Sequence, residues 1–306
     1  MVRSLATLMD ITTDEFTAIL KKTAELKAEI KKGKQPDVLK GKVVAMLFEK
    51  PSTRTRASFE SAILRLCGKA VYLPSADLQL KRGEPVKDTA RMFGGYFDGL
   101  VARVYQHKTI RELVEFSGLS VINGLCNKAH PTQAICDLFT IMEVKKDLKG
   151  RKLAYIGDGN NVCNSLLLAC AHSGMHISVA RPEGYDPDAV FLAEASKIAK
   201  NTGATIEITT DPTWAAKEAD ILYTDTWISM GEDAEKEKKL RDFQGYQINE
   251  GLIGLAAKDV SVMHCLPAYR ELEITEQALE GSHSVVWQQG ENKMYAACGV
   301  LDFFLG

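Results

Sequence analysis

Residues 43–56, Val43-Val44-Ala45-Met46-Leu47-Phe48-Glu49-Lys50-Pro51-Ser52-Thr53-Arg54-Thr55-Arg56, change character halfway along. The apolar run Val43–Phe48 has the length and composition of a buried parallel strand. Beyond it, Phe59, Ala62, Ile63 and Leu66 repeat as one face of a helix. Pro51 and Ser52 stand at the junction, and both residue types start helices. The stretch therefore predicts a strand, a turn and a helix N-terminus that carries three hydroxyls and the two guanidinium groups of Arg54 and Arg56. Cations at a helix start oppose the helix dipole, so stability alone does not explain them. Backbone N–H groups, hydroxyls and permanent cations together suit a multiply charged anion such as a phosphate.

The same alternation runs outward in both directions. Upstream, Thr12-x-x-Glu15 is a capping box before an amphipathic helix with Phe16, Ile19, Leu20, Leu26 and Ile30 on one face and an end near Gly33. Downstream follow strands at Ala70–Leu73, Gly99–Arg103 and Ser120–Asn123, with helices near Lys87–Gly95 and Thr109–Phe116. The polar segment Asp77–Pro85 is a long loop of the kind that often carries function. Arg103 falls at the C-terminal end of its strand, where open α/β sheets place ligand groups. His130 precedes a helix-initiating Pro131. A second series begins after Gly150. It has strands at Lys152–Ile156, His176–Ala180, Thr205–Thr209, Ile221–Thr224 and Val260–Cys265, and a short one at Val285–Trp287. Helices are expected at Ser165–His172, Ala189–Thr202, Trp214–Ala219, Ile274–Leu279 and from Glu291 onward. The fold class expected is α/β: two domains, each a parallel sheet flanked by helices, with the C-terminal helix returning to the first. Residues 1–136 with helix 291–306 form one domain, and residues 137–290 the other.

Composition narrows the function. The chain has 306 residues, is 45% hydrophobic and 25% charged, and carries a formal charge of −2, the profile of a soluble globular protein of enzyme size, neither disordered nor collagenous. Nearly balanced charge gives no reason to propose nucleic acid or an anionic membrane as partner. Lys236, Lys238 and Lys239 alternate with Glu235 and Glu237, a pattern expected of a solvated face. Seven cysteines, odd in number and without a Cys-x-x-Cys pair, fit reduced thiols in the cytoplasm. No apolar run approaches the roughly 18 residues that span a bilayer, and the N-terminus lacks an apolar signal core.

Three further clusters end strands in the second series: Asp158-Gly159-Asn160-Asn161, Asp225–Gly231 and His264-Cys265-Leu266-Pro267. Gly157-Asp158-Gly159 begins like a dinucleotide fingerprint, but Val162 stands at the third glycine and Arg181 follows the next strand where an acid is needed. His264-Cys265 lacks the further ligands that zinc requires, so a structural or substrate-facing pair is the better account.

Ser52-Thr53-Arg54-Thr55-Arg56, His130-Pro131-Thr132-Gln133, Asp225 with Ser229-Met230-Gly231, and His264-Cys265-Leu266-Pro267 occur in this order over most of the chain. Together they resemble the aspartate/ornithine carbamoyltransferase family, in its ornithine branch. The resemblance extends to Asp77-Leu78-Gln79, Arg82-Gly83-Glu84-Pro85, Lys87–Arg91 and Tyr246-Gln247-Ile248-Asn249. It implies carbamoyl transfer from carbamoyl phosphate to the δ-amine of L-ornithine, with no metal or organic cofactor. Ser52, Thr53, Arg54 and Thr55 would hold the phosphate. Thr55, Arg103 and His130 would bind the carbonyl oxygen, with Gln133 on the carbamoyl nitrogen. Cys265 and Leu266 would line the reacting centre. Asn161, Asp225, Ser229 and Met230 would hold the amino-acid end of ornithine. Gln79 would reach into a neighbouring subunit's site, since such enzymes are trimers or assemblies of trimers. One departure stands out: Glu291-Asn292-Lys293 occupies the place of the family's Glu-Asn-Arg. Lysine keeps the charge but loses the planar fork, so weaker carbamoyl phosphate binding is expected. The alternatives are transfer to another amine, such as putrescine or N-acetylornithine, and a catalytically silent anion-binding relative.

Overall fold

The computed structural model describes residues 2–228 and 235–306. The chain divides into two compact units, one of Met1–Phe139 with Glu291–Gly306, the other of Thr140–Gly290. Among the described residues the strands form two parallel sheets, one in each unit.

In unit 1 a 3-10 turn, Leu8–Asp10, precedes helix α1 (Thr13–Lys31). Its capping box is formed: Thr12 Oγ1 accepts from Glu15 N at 3.3 Å, and Glu15 Oε2 accepts from Thr12 N at 2.8 Å. Then come β1 (Val43–Phe48), α2 (Thr53–Arg65), β2 (Lys69–Pro74), α3 (Val86–Tyr96), β3 (Gly99–Arg103), α4 (His107–Ser117), β4 (Val121–Leu125) and the first part of α5 (Pro131–Lys145), which runs on into unit 2. The polar loop after β2 contains two short 3-10 turns, Ser75–Asp77 and Gln79–Arg82. Val44 to Leu47 of β1 are fully buried, as a strand covered on both faces must be. Burial of Val44, Met46 and Leu47 stabilises the fold by about 1.5–3 kcal/mol each relative to exposure. The strand order is β2-β1-β3-β4. Succession therefore reverses between β1 and β3, and the crevice at the carboxyl ends of such a pair is where α/β sheets bind ligands. A bulge between β3 and β4 pairs Ala102 with Asn123 but Arg103 with Leu125, a device that re-aims side chains beside functional sites.

Unit 2 contains β5 (Lys152–Ile156), α6 (Asn161–Ser173), β6 (His176–Ala180), α7 (Ala189–Thr202), β7 (Ile206–Thr209), α8 (Pro212–Ala216), β8 (Ile221–Thr224), α9 (Lys236–Asp242), α10 (Glu250–Ile253), β9 (Ser261–His264), α11 (Glu276–Glu280) and the start of α12 (Val286–Leu305). Its order is β7-β6-β5-β8-β9, so the reversal falls between β5 and β8. Trp227 stacks on Phe243 with ring centroids 5.6 Å apart, and Tyr185 and Tyr246 pack edge-on against Phe243.

Several expectations need correction. The strand expected at Val285–Trp287 is instead the approach to α12: Val285 N donates to Val262 O, one bridge forms at Ser284, and the helix begins at Val286. Three apolar residues are too few to distinguish a strand from a helix start. Helix α6 begins at Asn161, not Ser165, because Asn160 caps it. Lys239 is no part of a solvated face. It is buried, and its ammonium pairs with Asp158 at 2.7 Å.

Candidate active site

In unit 1 the carboxyl end of β1 leads straight into α2. Ser52 has extended backbone, and its Oγ accepts from Thr55 N at 3.2 Å, which makes it the N-cap. That bond turns Thr55 inward, where it is buried and its Oγ1 accepts from Arg103 Nη1 at 3.3 Å. The end of β1 and the end of β3, the two strands at the reversal, are thus joined through a hydroxyl and a buried guanidinium. Arg54 is half-buried and has no ion-pair partner among the described residues. Thr53 is exposed. Arg56 does not join the cluster. Its guanidinium lies 3.6 Å from the Tyr72 ring centroid and pairs with Glu60. Residues two apart on a helix point about 200° from one another, so only one of the two arginines can face the turn.

His130, at the start of α5, is buried, with Nδ1 3.4 Å from Thr132 Oγ1. Burial first, then the positive charges of Lys293 and Arg103, hold its pKa well below the usual histidine value. The ring is therefore neutral at pH 7 and keeps one N–H to donate. Gln133, one turn on, is buried. Its Nε2 donates to Asp137 Oδ1 at 2.7 Å, and its Oε1 accepts from Lys293 Nζ. Asn292, beside Lys293, accepts from buried Lys27 at 2.6 Å. Gln79 is exposed in its 3-10 turn, with Oε1 3.4 Å from Arg82 Nη1.

In unit 2 the reversal between β5 and β8 brings Asn160 to Asp225. Asn160 Oδ1 caps α6 by accepting from Val162 N and Cys163 N, and its Nδ2 donates to Asp225 Oδ2 at 2.9 Å. The other oxygen of Asp225 accepts from Cys265 Sγ at 2.9 Å and Thr226 N at 2.8 Å. Asp225 is buried, so this carboxylate is held in one orientation by three donors. Cys265 follows β9 and is half-buried. Leu266 has φ +59°, a left-handed conformation costly for a branched side chain, and its N–H donates to His264 Nδ1 at 2.8 Å. His264 Nε2 lies 3.0 Å from Glu273 Oε1, and Gln289 accepts from His264 N at 3.0 Å. His264 is thus the structural member of the pair, and Cys265 faces Asp225. Among the described residues no group of three or more His, Cys, Asp or Glu side chains is arranged to hold a metal ion.

Gly159 explains the dinucleotide-like start. A Cβ there would collide with the backbone of Asp186 and Pro187, so the glycine serves a close approach within the protein. Asn161 opens α6 and is half-buried. Ser229 and Met230 lie outside the described residues. Sequence reasoning missed Asn160 as a partner of Asp225. Its signal was present, an Asn directly before a helical run.

Two α/β units, each built on a parallel sheet, one presenting cations and hydroxyls where its strand order reverses and the other a carboxylate held by three donors at its own reversal, define a substrate-binding protein of the two-unit α/β class. Within that class the chain belongs to the aspartate/ornithine carbamoyltransferase family. Residues 3–143 match that family's carbamoyl-P binding domain, and residues 149–304 its Asp/Orn binding domain. The ornithine carbamoyltransferase of Methanosarcina acetivorans is 49% identical over 296 residues, which is 97% of this chain and 97% of that protein. The one from Archaeoglobus fulgidus is 48% identical and covers 100% of this chain and 98% of its own length. The solved ornithine carbamoyltransferase of Pyrococcus furiosus superposes with a TM-score of 0.96 at 45% identity, covering 99% of this chain and 97% of that one. That from Thermus thermophilus superposes with a TM-score of 0.90 at 39% identity, covering 100% of each. Among the described residues no helix is long and apolar enough to cross a membrane.

Proposed function

We propose that the protein transfers the carbamoyl group of carbamoyl phosphate to the δ-amine of L-ornithine, giving L-citrulline and phosphate. The observation that carries this is the joining of buried Arg103 to Thr55 in the first turn of α2, beside a neutral His130. In this reading Ser52, Thr53, Arg54 and the first-turn N–H groups of α2 take the phosphate. Thr55, Arg103 and His130 donate to the carbonyl oxygen, whose negative charge grows as the amine adds. Gln133 takes the carbamoyl nitrogen, and Lys293 adds a positive charge. The neutral δ-amine attacks the carbonyl carbon, the bond from carbon to the phosphate oxygen breaks, and the leaving phosphate accepts the amine's proton. A separate general base is not required. A neutral histidine suits the donor role, since an imidazolium beside Lys293 and Arg103 would be strongly disfavoured.

Asp225 takes the α-ammonium of ornithine, with Asn161, Ser229 and Met230 around the same end and Cys265 and Leu266 along the side chain. The caged carboxylate supports this choice among amines. Putrescine keeps both amines but lacks the carboxylate, and N-acetylation removes the positive charge that would compensate the buried carboxylate of Asp225. Purified protein is assayed with carbamoyl phosphate and ornithine, putrescine, N-acetylornithine or aspartate in turn. Ornithine is expected to be preferred by about 10- to 100-fold, the scale of losing a charged hydrogen bond. Preference for another amine, or no turnover with any, overturns the assignment.

We further infer a cytoplasmic homotrimer, or an assembly of trimers, in which Gln79 from a neighbouring copy completes the phosphate site. The exposure of Gln79 in a short polar turn supports this. Activity recovered on mixing a Gln79→Ala variant with an Arg103→Met variant tests it.

A further inference from the structure

Gln133 and Asp137 lie one turn apart on α5, and both are buried. A carboxylate only accepts hydrogen bonds and an ammonium only donates them. The amide of Gln133 stands between one of each: Nε2 donates to Asp137 Oδ1 at 2.7 Å, and Oε1 accepts from Lys293 Nζ. Only one orientation of the amide satisfies both partners. The flipped amide would set its oxygen against a carboxylate and its NH2 against an ammonium, replacing two favourable contacts by two repulsive ones in a buried site.

The choice of orientation bears on the donor substrate. A carbamoyl group carries an NH2 where an acetyl group of nearly the same shape carries a methyl. An amide oxygen in reach of that position rewards NH2 and leaves methyl indifferent, whereas an amide NH2 there would oppose a carbamoyl NH2 donor to donor. We propose that Asp137 is a positioning residue that makes the protein select carbamoyl over acyl phosphates, by holding the Gln133 oxygen toward the Lys293 side. This rests on the assignment of Gln133 to the carbamoyl nitrogen given above.

The test uses the full-length protein, with the KM for carbamoyl phosphate and the inhibition constant of acetyl phosphate against it measured at saturating ornithine. Asp137→Leu is close in size and keeps the helix. It is expected to raise the KM for carbamoyl phosphate about tenfold, the effect of one lost hydrogen bond, while acetyl phosphate inhibits as before. Asp137→Asn retains an oxygen at the same place and should restore most of the preference. Should Asp137→Leu fail to fold, Asp137→Ser, too short to reach Gln133, reports the same ratio. A general structural effect would move both constants together. That outcome, an unchanged ratio, or no recovery with Asp137→Asn overturns the proposal. Gln133→Leu separates the two levels. If it shifts the ratio while Asp137→Leu does not, the role of Asp137 falls and that of Gln133 stands. If Gln133→Leu leaves the ratio unchanged, the assignment of Gln133 itself fails.

Discussion

Arg54 and Arg56 stand two positions apart in one turn, and their fates diverge because a helix rotates about 200° between them. Arg56 is absorbed by Tyr72 and Glu60, and Arg54 is left for the turn. Residue type is legible in sequence, and facing is legible only once the helix start is known. His130 carries a titration consequence. Its folded pKa lies well below the roughly 6.5 of an unfolded histidine, through burial and then Lys293 and Arg103. As pH falls below about 6.5 the unfolded chain takes the proton first, so the stability this residue contributes is complete above that value and is lost toward its lowered folded pKa. Denaturant unfolding at pH 7.5 and 5.5 should show a smaller loss of stability for His130→Gln than for the parent chain. An equal or larger loss contradicts a buried neutral ring. Lys293 yields a second expectation. As a lysine it offers a point charge, and that charge is directed at Gln133. Lys293→Arg supplies a planar fork able to keep Gln133 and reach a phosphate oxygen, so the KM for carbamoyl phosphate should fall several-fold, about one hydrogen bond's worth. An unchanged KM counts against a role for this position in donor binding.

At the scale of elements, strands were readable wherever an apolar run was long enough and followed by a polar turn. Val43–Phe48, Gly99–Arg103, Lys152–Ile156, His176–Ala180 and Ile221–Thr224 fall where the pattern puts them. Val285–Trp287 failed because three apolar residues carry no period. The lysine run around Lys239 failed for another reason. Its counter-charge, Asp158, is 81 residues away, and a charge pattern shows only neighbours in sequence. Helix starts separate stability from function. Thr12 and Ser52 both cap helices through a side-chain oxygen, and either cap lost to alanine costs about 1 kcal/mol. Thr12→Ala and Ser52→Ala should therefore lower unfolding free energy by similar amounts. Only Ser52→Ala should also raise the KM for carbamoyl phosphate, because its cap orders the turn that holds Thr55 against Arg103. Equal kinetics in the two variants would remove α2 from the donor site.

At the scale of the whole molecule, the alternation of strands and helices specifies two parallel sheets, but strand order is not written in it. The reversals between β1 and β3, and between β5 and β8, decide which loops share a site. They explain why Arg103 meets Thr55 and why Asn160 meets Asp225, pairs 48 and 65 residues apart. The return of the chain's last helix to unit 1 is expected with the two-domain α/β reading, and its physical means is a glycine. A Cβ on Gly299 would collide with Thr23 Oγ1 and stand 3.0 Å from Thr23 N and 3.1 Å from Ile19 O, so α12 lies directly against α1 there. Thr23 turns its hydroxyl back onto Ile19 O at 2.8 Å, which completes the smooth face. Gly290, earlier in the same helix, has nothing within 4 Å of a Cβ. Alanine gains about 1 kcal/mol over glycine inside a helix, while overpacking against neighbours that cannot yield costs about 1–3 kcal/mol. The two positions should therefore respond with opposite sign. Gly290→Ala is expected to raise unfolding free energy by up to about 1 kcal/mol. Gly299→Ala should lower it by up to about 2 kcal/mol net, and Gly299→Val, stiffer and larger, by more. Denaturant melts followed by far-UV circular dichroism give the sign directly, and a stabilising Gly299→Ala would mean that the first and last helices do not approach as closely as their backbones indicate.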